Sequence, residues 1–399
     1  MNFASAGVYR TQESDDPHMN RSLLALLLAS MALRCLAQQN TPPAEKSAED
    51  LQNSAPYGYM APAQDAYQGA WNKTESLRTA NLWRSLCEAR PSDVGAQLNW
   101  FRSERNARLG QNNGRLQESD KAQLNAIADN INTTAPGSFE QHMTSYYVQF
   151  PQRSAYGELE KANAVDGGRS ELILPMVNRA NANGDKPSLD SWCIQLEARG
   201  ELSPALNDVA QDLLLSVDKD GILFTNGDMD GAPALVQQRL RDTRRDVLLV
   251  DQRLLVDATY REQIWTNANA KGPVPSAGPP FASTLHSATE RPIFFALSLD
   301  RTWFDAFPGG LCATGIAFKL KKDEVCETSV LEQRWGAMKK TTSAGPLSRN
   351  YLLPGAVLLE HYRSTGNETR ASQLEHELRV FGTAVGATND LIKAGVLTH

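Results

Sequence analysis

Gly221-Ile222-Leu223-Phe224-Thr225-Asn226-Gly227-Asp228-Met229-Asp230 is the stretch that decides the fold. Its first half is a short apolar run between turn-forming residues, which reads as a buried strand; it is too short for a helix. Its second half is a polar turn, and helical patterning resumes from about Ala232 to Arg241. A strand, a tight loop and a helix form the first half of a βαβ unit. A second apolar run, Val247 to Val250, follows, and Asp257 can cap a helix reaching about Asn267 because its carboxylate accepts a free backbone N–H. A Gly/Pro loop, Gly272 to Pro280, leads to a third strand within Pro292 to Leu299, and Gly315 to Leu320 is a candidate fourth. Residues 218–335 are therefore expected to form a small parallel or mixed sheet covered on both faces.

Outward from this unit the pattern is helical. Between 65 and 217, segments of helical length alternate with Pro/Asp/Asn/Gly junctions, as at Pro91-Ser92-Asp93 and Pro136-Gly137-Ser138. That arrangement suggests an α-solenoid of the tetratricopeptide kind. Residues 336–399 read as one more helical hairpin, Tyr351 to Tyr362 and Glu368 to Phe381, turned at Ser364-Thr365-Gly366-Asn367. The expected class is mixed α and α/β: helical repeats, a small sheet unit, then the hairpin.

Composition fits a globular protein, with 41% hydrophobic and 22% charged residues in 399. A net charge of −6 gives no broad attraction to nucleic acid or anionic membranes. Met19-Asn20-Arg21, the apolar run Ser22 to Leu33 and the small residues Cys35 and Ala37 describe a secretory signal peptide, with cleavage expected after Ala37. Residues 1–18 then read as an upstream start extension, 1–37 as the leader, and 38–64, rich in Pro, Ala and Gln, as a flexible tether. The expected location is periplasmic or secreted, with no transmembrane span after cleavage. Cys87, Cys193, Cys312 and Cys326 contain no C-x-x-C pair. An exported compartment permits disulfides, and Cys312 and Cys326 are the nearest pair; buried free thiols are the alternative.

Residues 221–260 carry a further pattern: Thr225-Asn226-Gly227-Asp228-Met229-Asp230, then Gln237, Arg244-Arg245-Asp246-Val247 and Leu254-Leu255. It resembles the soluble periplasmic portion of large bacterial multi-spanning proteins of unknown function, described as glycosyltransferase-like. Arg291-Pro292-Ile293-Phe294-Phe295-Ala296 and the terminal hairpin fit the same layout, while Met229 stands where Asn is usual and Gly231 where Thr is usual. The resemblance implies an α/β plus tetratricopeptide-like architecture and an envelope compartment. No membrane-spanning half is expected here, so it implies little about catalysis.

Three readings compete for the loop. Asn226, Asp228 and Asp230 can supply hard oxygen ligands to Ca²⁺, Mg²⁺ or Mn²⁺. The Asp-x-Asp element can instead hold a metal and the phosphates of a nucleotide-sugar. The simplest reading makes Asp228 and Asp230 turn and cap residues for the helix that follows. Asp251 and Asp300 also follow expected strands and can share the same ligand-binding edge with Asp228. Ser216-Val217-Asp218-Lys219 matches S-x-x-K, but at a helix end rather than a helix start. With no cofactor required, the sequence favours a non-catalytic interaction protein with a protein or peptide partner in the cell envelope. The competing expectation is a cation-dependent enzyme acting on a glycan or nucleotide-sugar.

Overall fold

The structure, a computed structural model, describes residues 62–111, 116–322 and 325–398. The leader and nearly all of the tether lie outside the described residues; at the tether's end Ala63 is buried and donates its N–H to Asn99 at 2.8 Å.

The amino-terminal helices are α1 (Lys73–Ala89), α2 (Val94–Gln111), α3 (Glu118–Thr134), α4 (Phe139–Gln149), α5 (Ala155–Asp166), α6 (Ile173–Asn183), α7 (Lys186–Arg199) and α8 (Pro204–Leu215). Local chemistry sets their ends. Asn72 and Ser138 accept free N–H groups at the starts of α1 and α4, and Asp185 does so for α7. Gly184 closes α6 in the left-handed conformation. From α1 to α5 each helix packs on the next, and α6 packs on α7, the neighbour-to-neighbour pattern of a helical array.

The sheet unit runs β1 (Ile222–Thr225), α9 (Gly231–Arg241), β2 (Leu248–Asp251), α10 (Ala258–Asn267), α11 (Pro279–Ala288), β3 (Ile293–Ala296), α12 (Arg301–Asp305), β4 (Leu311–Ala313) and β5 (Ala317–Leu320). Strand order is β2-β1-β3-β5-β4, with β1 parallel to both β2 and β3 and the other pairs antiparallel. The sheet is thus mixed. Register places Phe224, Phe295 and Phe318 side by side on one face. There Phe224 meets Phe281, Phe295 and Trp303, while Phe318 meets Phe304 edge-on. The opposite face is apolar too, with Leu223 beside Leu249 and Phe294, which explains why β1 and β3 read as unbroken apolar runs.

The carboxy-terminal part holds α13 (Thr328–Ala337), α14 (Leu352–Ser364), α15 (Glu368–Ala384) and a further short helix, α16 (Thr388–Lys393). The α14–α15 pair is the expected hairpin, and α14 reaches β4 at the sheet edge. One apolar core runs without a break from Tyr67 to Leu397, with a small satellite around Trp83 and Leu86. Buried Asp212 on α8 ties the far parts together. Its carboxylate accepts from the N–H groups of Lys339 and Lys340 and from the Tyr351 hydroxyl at 2.7 Å.

Cys312 and Cys326 form a disulfide that ties β4 to the segment after β5, while Cys87 and Cys193 are free and buried. Burial pushes both free thiols up to about 12, which keeps them protonated and unreactive. Among the described residues no helix is long and apolar enough to cross a membrane.

Candidate functional site

The chain leaves β1 toward β2 on one side and later returns to β3 on the other. The carboxyl ends of β1 and β3 therefore flank the point where an open α/β sheet usually opens a ligand crevice. The loop 226–230 sits there. Its own side chains span the gap: Asn226 Nδ2 donates to the Ser298 carbonyl at 3.0 Å, and the Ser298 hydroxyl donates to the Asp230 carboxylate.

Asp230 is only 2% exposed. Besides Ser298, its oxygens accept the backbone N–H groups of Asn226 at 2.9 Å and Gly231 at 2.6 Å, so it both closes the turn and caps α9. Burial raises its pKa above the usual carboxylate value, against the pull of these donors. The turn-and-cap reading of the sequence describes Asp230 as it stands.

Asp228 lies on the other side of the loop and meets Asp251 through one cation. Arg253 donates to Asp228 Oδ1 at 2.7 Å and to Asp251 Oδ2 at 2.7 Å. Asn178 of α6 also donates to Asp228 Oδ1, at 3.3 Å. Burial opposes ionisation of Asp228, but the charge and hydrogen bond of Arg253, with the Arg105 charge and the Asn178 hydrogen bond, together hold the pKa below its ordinary value. Gly227 makes this possible. It adopts φ +109°, and a Cβ there would lie 2.1 Å from Arg253 Cζ. The guanidinium also lies 5.2 Å from the ring centre of Phe150, the residue that follows α4, so the helical array forms one wall of the site.

Of the residues singled out from sequence, Asp228 and Asp251 meet on Arg253, and Asn226 and Asp230 meet on Ser298. Asp300 caps α12, accepting from Thr302 N at 2.9 Å. Gln237 of the same pattern donates to Asn207 on α8. A cation bound by Asn226, Asp228 and Asp230 would have to displace Arg253, Asn178 and the donors that fix the turn. Among the described residues no group of three or more His, Cys, Asp or Glu side chains is placed to hold a metal ion. Ser216 of the S-x-x-K stretch is buried, donating to the Asp212 carbonyl and accepting from Ile316 N.

Sequence reasoning missed Arg253, Ser298, Asn178 and Phe150. For Arg253 a signal existed: carboxylates gathered at one sheet edge require a cation, and Arg253 lies two residues past Asp251. The remaining motif residues serve the opposite edge of the sheet. Arg244 donates to the carbonyls of Leu214, Val217 and Asp218, and Arg291 to those of Asp220, Gly221, Asp246 and Asn267. They pin the strand starts rather than face a ligand.

Residues 206–282 match the family described as TMEM260-associated domain 2. The matched segment runs from α8 to the start of α11 and includes the loop 226–230, Asp251 and Arg253. No curated protein and no solved structure matches the chain.

Proposed function

We propose that this chain is an exported, periplasmic or secreted, non-catalytic interaction protein, in which the sheet unit braces a helical array that engages a protein or peptide partner in the cell envelope. The observation that carries the reading is the state of the loop carboxylates. Asp230 is taken up by backbone N–H groups and Ser298, and Asp228 and Asp251 share Arg253 as their counter-ion, so the chemically richest stretch of the sequence serves to join sheet and helices. The Cys312–Cys326 disulfide supports an oxidising compartment.

The second reading, a Ca²⁺-, Mg²⁺- or Mn²⁺-dependent enzyme acting on a glycan or nucleotide-sugar through Asn226, Asp228 and Asp230, is separated by one measurement. Chelated full chain is melted with and without each cation, alongside the double variant Asp228→Asn plus Asp230→Asn. A cation bound only by the native fold raises Tm by linkage. The interaction reading expects no cation response in either protein. A rise in the native chain that the double variant abolishes would replace it with the enzyme reading.

A further inference from the structure

Ahead of the first helix the chain is gripped in the way one peptide is gripped by another protein. Residues 63–68 lie between α2 and the turn that joins α7 to α8. Asn99, Arg102 and Asn106 recur at helical spacing on one face of α2. Asn99 Oδ1 accepts the Ala63 N–H at 2.8 Å, and Asn106 Nδ2 donates to the Gln64 carbonyl at 2.9 Å and to Asp65 Oδ1 at 2.8 Å. From the other side the Tyr67 carbonyl accepts the Ser203 N–H at 3.0 Å, and Gln68 Nε2 donates to the Gly200 carbonyl at 3.4 Å. The bonds to Ala63, Gln64 and Tyr67 reach main-chain atoms, so they hold an extended segment whatever its side chains.

The side chains of the segment divide in the same manner. Ala63 and Tyr67 are buried, while Gln64 between them is exposed. Asp65 meets Arg102, whose side chain is 4% exposed, at 3.0 Å. The next carboxylate to Arg102 is Glu171, at 4.0 Å, and Arg169 already holds that one at 2.6 Å. Arg102 Nε is buried with no hydrogen-bond partner among the described residues. A buried guanidinium without a close counter-charge is costly, so the groove requires an occupant with a carboxylate at this place. The segment is joined to α1 through Gly69, which is exposed, adopts φ +108° and has open space around it.

We infer that this groove is the peptide-binding site of the helical array, that its ligands are extended segments carrying Asp and, two residues on, an aromatic side chain, and that residues 63–68 occupy it in cis as a competitor. The inference rests on the interaction reading above and names the chemistry of the partner. Arg102 selects the carboxylate, the space filled by Tyr67 selects the aromatic ring, and the buried position of Ala63 admits a small residue two places before the Asp. Attachment through Gly69 gives the chain's own segment an effective concentration on the order of mM, which a partner must overcome to enter.

The test uses the full chain and a fluorescein-labelled peptide of residues 60–69, with binding read by fluorescence anisotropy. The native chain, already occupied, is expected to bind the peptide weakly. Two forms free the groove: Asp65→Asn in the chain, and a chain cut by a specific protease at a cleavage site inserted after Gly69. Each should bind the peptide at least ~10-fold more tightly than the native chain does. Asp65→Asn or Tyr67→Ala within the peptide should weaken that binding at least ~10-fold. Circular dichroism follows the helices of both freed forms. Equal binding by native and freed chains, tolerance of either peptide substitution, or no uptake of the peptide would each overturn the inference. Loss of the helices in the freed forms would overturn it too, because the segment would then be part of the core rather than an occupant. The cation melting that tests the interaction reading does not involve this groove, so either result can fail while the other stands.

Discussion

Arg253 is the side chain on which the site depends. Two carboxylates and an aromatic ring surround it, and Gly227 leaves it the space. Arg253→Leu should destabilise the protein by about 3–5 kcal/mol at neutral pH, because it leaves partly buried carboxylates without a counter-charge. The pH dependence gives the sharper check. The pKa of Asp228 is depressed in the folded protein, so its stabilising contribution is present above the unfolded value of about 3.9 and is lost as pH falls through the folded value. The variant lacks that contribution. The gap between native protein and Arg253→Leu in urea unfolding should therefore narrow as pH is lowered from 7 toward 3; a gap constant with pH would mean that Arg253 acts through packing alone. Gly227→Ala should cost at least about 1 kcal/mol by the same assay, since φ is positive and the new methyl meets the guanidinium.

Among the elements, β4 is the least supported. It is three residues long, lies at the edge of the sheet and pairs on one side with β5. The Cys312–Cys326 link compensates by fixing β4 to the chain that leaves β5, across a sequence separation of 14. Closing a loop of that size restricts the unfolded chain and is worth about 3 kcal/mol. Cys312→Ala plus Cys326→Ala should lower stability by about that amount, and a reductant should lower the Tm of the native chain but not of the double variant. Buried Cys87 and Cys193 should resist alkylation in the folded state, since burial keeps both protonated.

For the molecule as a whole, the continuous core implies that helical array, sheet and terminal helices unfold together. Asp212 joins the first of these to the last through the Lys339 and Lys340 amides and the Tyr351 hydroxyl. Asp212→Ala leaves those donors without an acceptor and should cost roughly 3 kcal/mol. It should lower the midpoint of the whole urea transition, followed both by far-ultraviolet circular dichroism and by tryptophan fluorescence. Two separated transitions would show instead that the terminal helices detach on their own.

The sequence by itself determined what depends on near neighbours. Ile222–Thr225, Leu248–Asp251 and Ile293–Ala296 were legible as strands because each is a short apolar run between turn residues, and a strand covered on both faces needs no alternation. The Asp257 cap and the role of Asp230 were legible too, since a cap acts within one turn of its own residue. Other elements were not. The three residues of β4 are too few to show a pattern, and α11 begins inside the expected Gly/Pro loop because Pro279 fits the first turn of a helix. Which carboxylates meet was decided only by the tertiary structure. Asp228, Asp251 and Arg253 converge because crossover connections bring the ends of β1 and β2 together, and Ser298 reaches Asp230 because β3 lies on the other side of β1. Phe150 joins them from the end of α4, far back in the chain. Charge compensation at such a place is a sum over segments distant in sequence, and no local period encodes it.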